Sequence, residues 1–406
     1  MQETPRGLRL HIGLFGRRNV GKSSLINALT GQAVSIVSDQ PGTTTDPVEK
    51  PLELAPVGPV LFVDTAGIDD DGALGQARVR RTEAVLERVD LALLVLGPEG
   101  ISRFETDLAA TLRDRGTPML VVRNKADLAA PEAAVAGLGA EALAVSALTG
   151  SGIDALRQAI TRLAPAARLE EPRLAGDLVP AGELAVLVVP IDLGAPKGRL
   201  ILPQVQVIRE MLDSDALTLV VKERELSGAL DRLKTPPRLV ICDSQVVLKA
   251  SADTPPTIPL TTFSILMARF KADLDRLAAG AAAIPRLKPG DRVLIGETCG
   301  HHPLADDIGR VKIPRWLNQY VGGGIKIEVA AGKDFPDDLS PYSLIIQCGG
   351  CTVTRRAMLA RLDRAGRQGV PMTNYGVAIS LLQGVLPRAL GCFPSALAAF
   401  ERAAAS

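Results

Sequence analysis

The chain has 406 residues, 47% of them apolar and 22% charged, a globular composition that excludes wholesale disorder. Lys plus Arg number 46 against 45 Asp plus Glu, so the net charge is +1 and there is no global basic field for nucleic acid or anionic lipid. Aromatic residues make up only 3%, which implies an aliphatic core and argues against base-stacking platforms.

Residues 8–164 alternate short apolar runs with amphipathic stretches. Strands are expected at Leu8–Gly16, Val60–Val63, Leu91–Leu96, Met119–Arg123 and Ala142–Val145. Helices are expected at Lys22–Thr30, Gln76–Arg88, Arg103–Arg115 and Ile153–Leu163. This rhythm predicts a mainly parallel, doubly wound α/β sheet that binds ligands at the carboxyl ends of its strands. A stretch rich in proline and mixed charge reads as a linker over residues 169–182. Residues 183–262 form a second, small α/β unit with several strands and no constellation of chemical groups beyond Cys242. Thr262–Ile284 has a helical period and leads into a third α/β unit spanning 263–406, with strand ends near GE297, QCGG350 and MTNYG376. No apolar run reaches the roughly 18 residues of a membrane span, and the start lacks a secretory pattern. Five cysteines, an odd number, argue against a disulfide scaffold and fit a reducing cytoplasm.

The strongest chemistry lies near the start. Gly16-Arg-Arg-Asn-Val-Gly-Lys-Ser23 follows a strand and opens a helix, the context that makes GxxxxGKS a phosphate loop. Gly16, Asn19, Val20, Gly21, Lys22, Ser23 and Ser24 would wrap the phosphates with backbone N–H groups, aided by the helix dipole. Lys22 is placed to reach the β- and γ-phosphates and Ser23 to ligate Mg2+. Asp64-Thr-Ala-Gly67 follows the next strand, so Asp64 could hold Mg2+ through water and the Gly67 N–H could sense the γ-phosphate. Asn124-Lys125-Ala-Asp127 provides a carboxylate for guanine N1–H and N2–H2. A buried Asp127 would be left unpaired by adenine. Ser146-Ala147-Leu148 can offer a backbone N–H to guanine O6. Four ordered motifs at successive strand ends define a GTPase that binds GTP and GDP.

A second constellation joins Cys299-Gly-His301-His302 to Cys348-Gly-Gly-Cys351, both after strands. Three thiolates suit an iron–sulfur cluster or zinc, and a CxxC pair alone also suits redox chemistry. Spacing leaves these three level. A fourth, weaker ligand could come from His301, His302, Asp306 or Asp307. His11 in a strand, Cys242 and Cys392 read as structural, and Gly322–Gly324 as a turn.

Residues 8–164 resemble a Ras-type G domain of the TrmE–Era group. Pro41-Gly-Thr-Thr44-Thr-Asp46 matches that group's switch I, with Thr44 expected to close over Mg2+. Ile68 stands where other GTPases carry a water-orienting glutamine. In some members of the group K+ assists instead, held partly by an asparagine at the position of Asn19; a residue that only turns the loop is the equal alternative for Asn19. Slow, switch-type hydrolysis is the expectation. The whole chain resembles the HydF family, the GTPases that mature iron–iron hydrogenase, through GRRNVGKSS, PGTTTDPV, DTAG, TCGHHPLADDIGRVKIPRW and CGGC. That resemblance implies a Ras-like G domain (1–168), a dimerisation domain (183–262) and a cluster-binding domain (263–406). It also implies a 4Fe–4S cluster on Cys299, Cys348 and Cys351, a labile fourth ligand, a scaffold that carries a two-iron precursor, and a homodimer. The partners implied are the hydrogenase apoprotein and radical-SAM maturation proteins, with neither nucleic acid nor membrane. Gln347 stands where some members have histidine and is a poor ligand, which leaves Asp306, His301 or His302 as fourth ligand. A tRNA- or ribosome-associated GTPase with a structural zinc module is the alternative.

Overall fold

The computed structural model describes residues 4–31, 48–65, 85–128, 138–168, 172–191, 200–298, 307–332 and 335–405. Its contacts divide the chain into two compact units, Met1–Glu170 and Glu171–Ser406.

The first unit is built on β1 (Leu10–Phe15), β2 (Val48–Leu54), β3 (Gly58–Asp64), β4 (Leu91–Leu96), β5 (Met119–Arg123) and β6 (Ala142–Ala144). These form one sheet in the order β2-β3-β1-β4-β5-β6. All neighbours are parallel except β2, which runs antiparallel to β3. The flanking helices are α1 (Lys22–Thr30), α2 (Arg103–Asp114) and α3 (Ile153–Arg168). Strand residues alternate between two cores, as the pleat requires. Leu10, Ile12 and Leu14 join Leu25 of α1 and Leu156 of α3, whereas Phe15, Leu94 and Val121 join Leu108 and Leu112 of α2. The strand β2 was not foreseen. Its sequence VEKPLEL carries charge and a proline, a composition that an edge strand tolerates and a central one does not. The expected helix Gln76–Arg88 lies mostly outside the described residues.

The second unit holds two four-stranded parallel sheets. One contains β7 (Leu184–Val188), β8 (Leu217–Val221), β9 (Leu239–Cys242) and β10 (Leu260–Thr262), in the order β10-β9-β7-β8. The other contains β11 (Arg292–Glu297), β12 (Lys326–Ala331), β13 (Leu344–Gln347) and β14 (Met372–Asn374), in the order β12-β11-β13-β14. Around them lie α4 (Leu202–Asp213), α5 (Leu226–Leu230), α6 (Val247–Asp253), α7 (Phe263–Lys271), α8 (Leu274–Ala281), α9 (Ile313–Val321), α10 (Arg355–Arg367), α11 (Tyr375–Leu382), α12 (Leu386–Ala389) and α13 (Pro394–Ala405).

The two sheets share their cores. Leu187, Ile241, Leu294 and Ile345 fall in one apolar cluster, and Val186, Val240, Val293 and Ile346 in the other. The segment read as a linker contributes Leu174, Ala175 and Val179 to the first of these. The Glu210 carboxylate accepts from the N–H groups of Leu174, Ala175 and Gly176. The single helical period of Thr262–Ile284 resolves into α7 and α8, because Ala272 is extended and Asp273 caps a new helix by accepting from the Arg276 N–H. Among the described residues no helix is long and apolar enough to cross a membrane.

Candidate functional site

The phosphate-loop residues sit between β1 and α1. Gly21 caps α1 at φ 89°, a left-handed conformation that favours glycine, and no side chain caps the helix. The α1 N-terminus therefore keeps the N–H groups that an anion would take up. A Cβ on Gly21 would also lie 2.3 Å from Asn124 Nδ2. Lys22 is buried, and its Nζ donates to the carbonyls of Gly16 and Arg17, both at 2.8 Å. It thus folds over the loop mouth, with its charge held where phosphate oxygens would compete for it. Asn19 is exposed at φ 61°.

The Ser23 hydroxyl donates to Asp64 Oδ2 at 2.7 Å, which brings together the two groups expected around Mg2+. Burial pushes the Asp64 carboxyl above its usual range, against the opposing pull of Ser23 and of Lys22. A hydroxyl and a desolvated carboxylate at one point are a donor set suited to a hard cation. Thr44 and Gly67 lie outside the described residues.

Asn124 is buried and joins two loops. Its Nδ2 donates to the Val20 carbonyl at 2.8 Å, and its Oδ1 accepts from the Ala147 N–H at 3.0 Å. Lys125 has φ 61°. Asp127 is exposed, not buried as its expected role requires. Leu128 and Leu148 are 53% and 87% exposed. The carboxylate and both apolar side chains are thus open to solvent in the protein alone. Ser146 is buried, and its N–H donates to the Ser151 carbonyl.

Two residues escaped the sequence reading. Arg17 Nε donates to Glu105 Oε1 at 2.8 Å, and Glu105 is wholly buried. The same carboxylate accepts from the Ser102 N–H at 2.7 Å and completes the capping box of α2. The signal was the spacing Ser102-Arg-Phe-Glu105 just before an apolar run.

The second constellation is partly visible. Cys299, His301, His302 and Asp306 lie outside the described residues, so their convergence on the other cysteines is not observed. Cys348 and Cys351 follow β13, half-buried and outside any disulfide. Gly350 between them has φ 67°, as a tight turn demands. Cys348 Sγ accepts from the Thr298 N–H at 3.2 Å and lies 3.3 Å from Thr298 Oγ1 and 3.5 Å from Gln347 Nε2. A sulfur ringed by donors fits a thiolate bound to metal. Among the described residues there is no cluster of three metal-ligating side chains. Asp307, considered as a ligand, accepts from the Arg310 N–H at 2.8 Å as a cap.

The residues read as structural behave so. Burial holds His11 down at about 4, with its Nε2 3.0 Å from the Arg6 carbonyl. Burial pushes the Cys242 thiol far up and that of Cys392 to about 11. Gly322–Gly324 form the turn between α9 and β12, all at positive φ.

Three family models match the chain: "50S ribosome-binding GTPase" over residues 11–125, "Hydrogen maturase F dimerization domain" over 174–272 and "Hydrogen maturase F tetramerization domain" over 275–392. The tRNA modification GTPase MnmE of Myxococcus xanthus is 44% identical over 154 residues, covering 37% of this chain and 32% of the relative. Its counterpart in Laribacter hongkongensis is 38% identical over 154 residues, covering 37% and 34%. The chain thus spans about a third of the length of the curated relatives it matches. A solved structure of Era from Aquifex aeolicus bound to GDP·AlF4− is 18% identical with a TM-score of 0.34, covering 79% of this chain and 92% of that one. The G-domain fold, with its ordered motifs, places the chain among GTPases, enzymes that hydrolyse GTP. With both hydrogen maturase F domains following that G domain, the chain belongs to the hydrogen maturase F family.

Proposed function

We propose that this protein is a cytoplasmic GTP-hydrolysing scaffold that binds a 4Fe–4S cluster and carries a two-iron precursor for the maturation of iron–iron hydrogenase. The observation that carries the reading is the joining, in one chain, of the Lys22–Ser23–Asp64 phosphate-loop geometry to a Cys348 sulfur ringed by donors. Gly16–Ser24 would cradle the phosphates, and Asn124, Lys125, Asp127 and Ser146–Leu148 the guanine. Ser23 and Thr44 would hold Mg2+ beside Asp64, and Asn19 would either help to hold K+ or only turn the loop. Bound Mg2+ supplies charge neutralisation at the phosphates. Thr44 and the Gly67 N–H would close on the γ-phosphate and be released on hydrolysis, which makes a switch of the N-terminal unit.

Cys299, Cys348 and Cys351 would hold the cluster, with Asp306, His301 or His302 as exchangeable fourth ligand. An incomplete thiolate set suits a site that must accept and release cargo. We assign residues 1–168, 183–262 and 263–406 to GTP binding, dimerisation and cluster binding. The edge strand β8, with Leu217 58% and Val220 44% exposed, is the surface on which a second copy would continue the sheet. The hydrogenase apoprotein and radical-SAM maturation proteins are the expected partners.

Anaerobic reconstitution with iron and sulfide, followed by EPR, tests the reading. A reducible cluster signal that is lost in Cys348→Ser is expected. Stoichiometric zinc without such a signal would overturn it. The curated relatives with tRNA-modification names match through the G domain, which keeps an RNA-binding GTPase as the alternative. Co-purified RNA, read from the absorbance ratio, would favour that alternative.

A further inference from the structure

A buried polar relay lies behind the paired cysteines. Gln347, the last residue of β13, is fully buried, and its carboxamide packs on β11 at a position where only glycine fits. A Cβ on Gly296 would come within 2.5 Å of Gln347 Oε1. The two ends of the amide are distinguished by their partners. Arg361 of α10 donates from its guanidinium to Oε1 at 3.1 Å, and a guanidinium has no acceptor, so Oε1 faces Arg361 and Nε2 faces away. Nε2 donates to the Gly296 carbonyl at 2.9 Å and lies 3.5 Å from Cys348 Sγ. Arg361 is itself anchored, donating to the Gly332 carbonyl at 2.9 Å and stacking over the Phe335 ring at 4.6 Å.

We propose that Gln347 is a positioning residue that, locked by Arg361, aims an N–H at the Cys348 sulfur and raises the reduction potential of the cluster bound there. The inference rests on the cluster reading above. The amide oxygen, its metal-binding atom, is turned to Arg361, so the role is that of a donor and not of a fourth ligand. Hydrogen bonds to a ligating sulfur draw electron density from it and favour the reduced, more negative cluster. Thr298 supplies another donor, its N–H, and its Oγ1 lies 3.3 Å from the same atom.

The test uses the full chain, reconstituted anaerobically, and an EPR-monitored redox titration. Gln347→Glu keeps the length and the Arg361 partner but removes the donor. Gln347→Met removes both. Arg361→Lys keeps a charge but cannot reach Gln347 and Gly332 together, and it carries the test where a Gln347 variant does not fold. A midpoint shifted to more negative potential is expected in both Gln347 variants, and a smaller shift in Arg361→Lys, with cluster loss to a chelator accelerated severalfold. Fully loaded variants with the wild-type midpoint would overturn the inference alone. A wild-type chain that takes up no reducible cluster would overturn the cluster reading and this inference with it.

Discussion

Replacing Asn124 by alanine removes a clip between the phosphate loop and the base-side loop that is closed before any nucleotide arrives. The side chain donates to the Val20 carbonyl at 2.8 Å and accepts from the Ala147 N–H at 3.0 Å, and it is buried. Each partner left unpaired in a buried site costs about 1 kcal/mol at the low end. The two together amount to about 2 kcal/mol, or roughly thirtyfold in an opening equilibrium. Hydrogen exchange followed by mass spectrometry on the nucleotide-free full chain reads this directly. Peptides covering residues 16–30 and 145–150 should exchange roughly thirtyfold faster in Asn124→Ala, by the same arithmetic. A residue acting only through contact with the base would leave exchange in the nucleotide-free protein unchanged. Unchanged protection alongside weakened GDP binding would therefore refute the clip and leave a base contact only.

Lys22→Ala should abolish GTP binding, measured with a fluorescent GTP analogue, and normal hydrolysis in that variant would sink the phosphate-loop assignment. His11, held at about 4 against an unfolded value of 6.5, remains neutral in the folded state while the unfolded chain takes up a proton. Its contribution to stability is therefore present above pH 6.5 and is lost as the pH falls towards 4. About 2 kcal/mol should vanish between pH 7 and pH 5, and urea unfolding of wild type against His11→Gln at the two pH values checks it. Val220→Lys on the exposed edge strand should shift the chain towards monomer in sedimentation velocity. An unchanged distribution would place the self-association elsewhere.

Much of the first unit was legible because its ends are chemically marked. Gly21 and Lys22 announce the start of α1, and the strands β4 and β5 match their expected bounds residue for residue, being continuous apolar runs between polar loops. The edge strand β2 was not, since a half-exposed strand that carries Glu49, Lys50 and Pro51 has no periodic signature. The pairing of Ser23 with Asp64 could be expected from motif order. The hold of Glu105 on Arg17 could not, because it joins residues far apart in sequence through a carboxylate that local pattern explains as a helix cap. In the second unit the break between α7 and α8 was hidden by an apolar period that continues through it, although Asp273 carried the capping signal. The relay from Arg361 to Cys348 was invisible for a different reason. Glutamine was weighed as a ligand and found poor, whereas its orientation depends on a helix that the sequence does not place beside it.

The continuity of the two apolar layers in the second unit bears on how that part of the molecule can be taken apart. Thr262 closes β10 and at the same time caps α7 by accepting from the Ile265 N–H at 3.1 Å. A cut at 262/263, where the sequence suggests a seam, would sever a strand from its helix and expose Leu187, Ile241, Leu294 and Ile345 at once. Neither fragment should fold alone. A proteolytic nick there should be fatal to both, and a chain truncated after 262 should be recovered as aggregate instead of as a small soluble partner.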